Sequence, residues 1–295
     1  MTYLYQFCDN FSFLVLSAMG LSIIFGMMGI INLAHGEFIM LGAYITTFFA
    51  TNGVPLPLAI LFGTVGTGVF GFIIDRLIIC HLYSRPLDSV VATWGISLVM
   101  CQGMRVLFGS SIAGTSTPLG SFTVDGTKYS IYRMVLAGIA VLLVVGVFLL
   151  FMRTKIGLHA RATMQNCGIA SSLGVNSGKM YALTFAFGSA LAGLCGGLYA
   201  PTMSITPDIG QNFMMESFVT VIVGGTNPLV GTVLAGGALG LVRSALEMAY
   251  GTFVGRVGLL IVAIIFIRVV PKGFSGLVDS IRKKAEVKKH AKTKT

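Results

Sequence analysis

An all-α bundle of membrane-spanning helices, with about eight to nine crossings and one short broken or re-entrant helix, is the fold class this sequence predicts. Composition is the first observation: 55% of the residues are hydrophobic and 10% charged, with a mean hydropathy of +0.88. A soluble fold cannot cover that much apolar surface. The second is that apolar runs recur along almost the whole chain. A hydrocarbon core about 30 Å thick takes roughly 20 apolar residues per helix, so 295 residues hold about eight spans and leave no room for a large soluble domain.

The runs fall at 11–31, 38–51, 56–74, 89–108, 132–152 and 181–200, then 218–223, 229–248 and 254–270. The first is expected to be retained as a span, because no basic segment and small-residue cleavage site mark it as a secretory signal. The run at 218–223 is too short to cross alone. It ends in Gly224, Gly225 and Thr226, followed by Asn227 and Pro228, which predicts a broken or re-entrant helix held by surrounding protein or a water cavity. The run at 38–51 is also short, which leaves the count between eight and nine.

Small residues at four-residue spacing, Gly188, Ala192 and Gly196, then Gly236 and Gly240, predict close helix–helix approach in lipid. Gly66, Gly68 and Gly71 spell the glycine pattern of a dinucleotide-binding turn, but inside an apolar span with no strand before it, so helix packing is the better account. No G-x-x-x-x-G-K-[ST] occurs, which argues against ATP binding through a P-loop on this chain. The five cysteines form no C-x-x-C pair, implying neither a zinc site nor a disulfide framework.

Charge gives the orientation. Residues 1–75 contain no Lys or Arg, and basic residues cluster at Arg76 with Arg85, between Arg153 and Lys179, and from Arg268 onward. Placing all three clusters in the cytoplasm puts the N-terminus outside and requires an odd number of crossings. The chain then divides into a transmembrane domain, 1–271, with a cytoplasmic loop at 153–180, and a basic cytoplasmic tail, 272–295. The tail suits a membrane surface or is simply a solvated end. The net charge of +10 is concentrated there and does not form a nucleic-acid face.

Few polar groups lie at membrane depth, and each costs roughly 2.5 to 3.5 kcal/mol on insertion scales. Asn32, His35 and Glu37 form the sharpest group. They either line a translocation pathway or cap two helix ends. A metalloprotease reading fails, because H-E-x-x-H spacing is absent; no metal site or catalytic group is expected. Trp94, Gln102 and Arg105 follow, with Gln102 and Arg105 on one helical face and Arg105 able to snorkel to the outer interface. Glu216 is a further pathway candidate, and Glu247 is expected in interfacial water. A second class of function stays open: an ion-coupled transporter or channel with Glu37 or Glu216 as the coupling group. The loop from Arg153 to Lys179 carries four basic residues and no acid. It reads as a short amphipathic helix pair, suited to a groove in another protein.

Gly20-Leu21-Ser22-Ile23-Ile24-Phe25-Gly26, then Ile31-Asn32-Leu33-Ala34-His35-Gly36-Glu37-Phe38 and Met40-Leu41-Gly42-Ala43-Tyr44, resemble the permeases of branched-chain amino acid ABC importers and of their urea and short-amide relatives. Gly157, Arg161, Ala162, Asn166, Ala170, Gly174 and Val175 match that family's coupling segment, and Ala182 to Phe185, Ala190 to Gly193, Gly224-Gly225 and Gly231-Thr232 continue the likeness. The chain departs from relatives in carrying Cys167 and Gly168 directly after Asn166, where charged residues are common. The resemblance implies a translocation subunit in a bacterial-type cytoplasmic membrane, without catalysis or cofactor of its own. Its implied partners are a second permease, homologous or identical, two ATP-binding subunits that bind ATP and Mg, an external substrate-binding protein and membrane lipid. Gly157, Arg161, Ala162, Asn166 and Gly174 would couple to the ATPases. Arg85-Pro86-Leu87, Ala92 to Gly95 and Pro207 to Gln211 look closer to the urea and amide branch.

Overall fold

A computed structural model describes residues 2–277 except 125, 126 and 226. Most of the expected basic tail, from 278 onward, lies outside the described residues. Seven helices are long and apolar enough to cross a membrane: α1 (Thr2–Met28), α3 (Leu56–Leu77), α4 (Pro86–Phe108), α5 (Ile131–Arg153), α8 (Ser177–Tyr199), α10 (Pro228–Tyr250) and α11 (Thr252–Val269). Two shorter helices, α2 (His35–Thr51) and α9 (Ile209–Gly224), run among them, and α6 (Lys155–Gln165) and α7 (Cys167–Ser172) form the loop between α5 and α8. A hairpin of β1 (Ser121–Val124) and β2 (Thr127–Ser130) precedes α5; nothing in the apolar pattern announced it.

Two elements differ from the sequence expectation for one reason. The run at 218–223 is only the last part of α9, because Gln211, Asn212 and Glu216 interrupt the hydropathy but not the helix. Likewise α1 begins well before residue 11, with Gln6, Asp9 and Asn10 in its outer turns. Polar side chains that find partners inside a bundle need not end a helix, although they end an apolar run.

The loop helices begin with the local chemistry that starts helices in water. Thr154, Asn166 and Asn176 each accept, through the side-chain oxygen, a hydrogen bond from the backbone N–H three residues on, at 3.0 to 3.1 Å. Each such cap is worth about 1 kcal/mol. Gly174, at φ +86°, takes the left-handed turn that closes α7 and that a side chain would strain.

Helices α1 and α8 form the interior, with α2 and α3 against α8 and α9 and α10 against α1. Glycine makes this possible. A Cβ on Gly196 would lie 1.9 Å from the Ile39 carbonyl oxygen, and one on Gly42 2.3 Å from that of Gly193. Gly188 meets Gly20 in the same way, and Gly71 lies against Ser189, so the apparent nucleotide motif is a packing surface. Around these contacts Phe38, Tyr44, Phe185 and Phe213 are fully buried.

Replacing Gly196 by Val should force α2 from α8 and destabilise the chain by more than the roughly 1 to 3 kcal/mol of ordinary overpacking. Gly237→Ala, where nothing lies within 4 Å, should be neutral or slightly stabilising. Thermal melting of the two variants in one detergent would separate them.

Candidate functional site

Past Met28 the chain turns at Gly29, φ +65°, and residues 29–34 run back into the bundle without helical structure. Helix α2 therefore starts at depth. Its first residue, His35, donates from Nε2 to the carbonyl oxygen of Ser17 at 2.9 Å, and Ser17 lies near the middle of α1. The irregular stretch is held by protein, as it must be where water is scarce. Thr93 Oγ1 on α4 accepts from the Leu33 N–H at 3.1 Å, and Asn32 Oδ1 accepts from the Ala34 N–H at 3.0 Å.

Asn32, His35 and Glu37 are fully buried. Glu37 Oε1 accepts from Ser97 Oγ at 3.0 Å. The remaining polar atoms, Asn32 Nδ2, His35 Nδ1 and Glu37 Oε2, have no hydrogen-bond partner among the described residues. Glu37 Oε2 points at the first turn of α9: a Cβ on Gly210 would lie 2.6 Å from it, and Gly36 and Gly210 approach backbone to backbone. One carboxylate thus sits at two helix N-termini, its own and that of α9, where the partial positive charge favours it. Asp208, just before α9, accepts from Arg105 Nη2 at 2.7 and 2.8 Å, so Arg105 ties α4 to the start of α9 instead of only snorkelling. The three residues do brace a helix start, and they leave unpaired polar atoms deep in the bundle.

The other sequence candidates do not join this group. Trp94 is 57% exposed, and Gln102 is exposed on the same helix; the inward side of α4 is instead marked by Thr93, Ser97 and Cys101. That four-residue spacing was visible in the sequence but rests on small, unremarkable side chains. Glu216 belongs to a separate buried network in which its carboxylate pairs with Arg243 Nη1 and with Arg256 Nε at 3.1 Å. Arg243 Nε also meets Glu247 at 2.8 Å. Glu247, expected in interfacial water, is buried and accepts from Asn10 at 2.8 Å and Gln6 at 2.6 Å. Two acids and two bases cancel, which is what lets charge persist inside the bundle. Sequence reading missed Asn10 because its partner Glu247 lies more than two hundred residues away, and Arg243 because Glu216 is on another helix, although Glu247 stands four residues on in its own.

In the α6–α7 loop, Gly157 lets α6 fold against the end of α5, since a Cβ there would lie 2.3 Å from the Phe151 carbonyl oxygen. Ala160 and Ala170 are buried and Ala162 half-buried. Arg161 lies along its own helix, with Nε 3.4 Å from the Gly157 carbonyl oxygen and Nη1 3.4 Å from Met152 Sδ. The Asn166 side chain caps α7. Leu158, Ile169 and Leu173 remain 57%, 61% and 78% exposed, so the pair presents apolar side chains from an otherwise polar, basic segment.

The family described as branched-chain amino acid transport system, permease component, matches residues 4–270. The chain is 28% identical to the high-affinity branched-chain amino acid transport system permease protein BraD of Pseudomonas aeruginosa, over 85% of this chain and 88% of that protein. It is 28% identical to the probable branched-chain amino acid transport permease protein LivH of Methanocaldococcus jannaschii, over 90% and 89%. It is 27% identical to the autoinducer 2 import system permease protein LsrD of Escherichia coli, over 75% and 69%. No solved structure matches significantly. A match over nearly the whole chain, on a helical bundle whose interior contacts carry the motif residues, places the protein in the branched-chain amino acid transport permease family.

Proposed function

We propose that the chain is the translocation subunit of an ATP-driven importer for a small polar nutrient, with a branched-chain amino acid as the first candidate. It would act beside a second permease, two ATP-binding subunits and an external binding protein, with ATP hydrolysis on those partners. The observation that carries this reading is the α6–α7 pair: a basic loop that exposes Leu158, Ile169 and Leu173 needs a partner surface to cover them. Family membership supports an ATPase subunit as that partner. Counting α2 and α9 with the seven long helices gives nine crossings, the odd number that an external N-terminus and cytoplasmic basic clusters require.

For the pathway, Glu37 Oε2, Asn32 Nδ2 and His35 Nδ1 supply unpaired polar atoms where α2 meets α9. If the second permease covers the open side of α4, Trp94 and Gln102 face that seam. Glu216, compensated by Arg243 and Arg256, is better suited to anchoring than to contact with a solute, which also counts against its use as an ion-coupling group. The names of the relatives favour an amino acid; urea or a short amide is supported only by the residues noted at 85–87, 92–95 and 207–211.

In the reconstituted complex, Arg161→Glu should cut substrate-stimulated ATP hydrolysis and uptake at least tenfold while insertion stays normal; unchanged stimulation would remove the docking role of this loop. Glu37→Gln should leave the melting temperature within a few degrees and change uptake, whereas Glu216→Gln, which leaves Arg243 with Glu247 alone and Arg256 without its acid, should lower the melting temperature by more than Glu37→Gln does. Uptake by the purified chain alone in liposomes would support the ion-coupled or channel alternative instead.

A further inference from the structure

A cavity of about 170 Å³ opens between the end of α5, the start of α6 and the first turns of α8, lined by Leu150, Phe151, Ile156, Ala160, Leu183 and Phe187, among others. Its lining is apolar, and Ile156 and Leu183 are about half exposed. Each of the three helices that supply the lining carries a basic residue one or two positions from a lining residue. Arg153 closes α5, Lys155 opens α6 and Lys179 lies in the first turn of α8. All three are exposed, and among the described residues none forms an ion pair.

The placement of the two lysines is electrostatically unfavourable by itself. The N-terminus of a helix carries partial positive charge and favours acids, yet α6 and α8 have no acid in the first turn, and the loop between Arg153 and Lys179 contains none. Three cations and two helix N-termini thus stand at the ends of the helices that line the cavity, with no acid between Arg153 and Lys179. The cavity beside these helix ends is apolar. A ligand that satisfies both has a phosphate above an acyl chain.

We propose that this slot binds an anionic phospholipid of the cytoplasmic leaflet, with its acyl chain against Phe151, Leu183 and Phe187 and its phosphate among Arg153, Lys155 and Lys179. The site rests on the chain spanning a bilayer with this loop inside, not on the identity of the transported solute. Bound there, the lipid braces the base of α6, the helix that carries Arg161.

Native mass spectrometry of the full chain in mild detergent, titrated with phosphatidylglycerol or phosphatidylcholine, tests it. Each cation near an anionic surface contributes roughly fivefold, so the expected preference for phosphatidylglycerol is at least tenfold. It should fall to within twofold in the Arg153→Gln, Lys155→Gln, Lys179→Gln variant. Should that variant misfold, Lys155→Gln alone is expected to reduce the preference about fivefold. Glycerol phosphate should not displace the lipid; displacement would make this a site for a free phosphate ester and overturn the lipid assignment. Phosphatidylglycerol with a photoreactive acyl chain should label peptides spanning 150–160 or 180–187. Labelling confined to the basic tail, or equal binding of both lipids, would overturn the proposal.

Discussion

A backbone interrupted inside a bilayer has no water to turn to, and the rest of this structure is arranged around one such interruption. Between Met28 and His35 the chain is not helical, yet it lies beside the midpoint of α1. Its N–H and C=O groups are met by Thr93, by the side chain of Asn32 and by the turn into α2. An unsatisfied group at that depth costs several kcal/mol, so α4 has to supply a hydroxyl there and α8 has to pack close enough to exclude lipid. The glycine contacts of α8 with α1 and α2 follow from the second requirement.

The same economy of polar groups explains the two carboxylate sites. Glu37 lies at two helix N-termini and meets one hydroxyl, so part of its interaction capacity is left over. Glu216 differs in being paired with two opposite charges, Arg243 and Arg256. A buried ion cluster of that kind gives register and orientation more readily than net stability. Here it fixes α10 and α11 to α9 and, through Glu247, α10 to α1.

Much of this could be read from the residues. Long apolar runs, small-residue spacing and the basic loop each reflect a local property of the chain, and the seven long helices, the glycine seams and the α6–α7 pair were legible for that reason. The starts of α1 and α9 were hidden because hydropathy averages cannot distinguish a polar residue with a partner from one without. Gln6 and Asn10 look like the end of a span until Glu247 is placed beside them. Of the site residues, Asn32, His35 and Glu37 stood out as polar groups between apolar runs, but Ser97 and Gly210 carry no signal until α4 and α9 are folded against α2. Trp94 and Gln102 were conspicuous by residue type, which says nothing about the face they occupy.

The contact between Gly36 and Gly210 has a mechanical consequence. Where two helices meet through side chains, moving one past the other means unseating knobs from holes. Here two helix starts meet as bare backbone, with a single carboxylate across the joint. The Arg105–Asp208 pair holds this start of α9 to α4, and farther down α9 the Glu216 cluster grips its neighbours. Glycine on both sides therefore sets how near α9 can lie to α2, and any bulk added at either position would push apart the walls around the unpaired polar atoms.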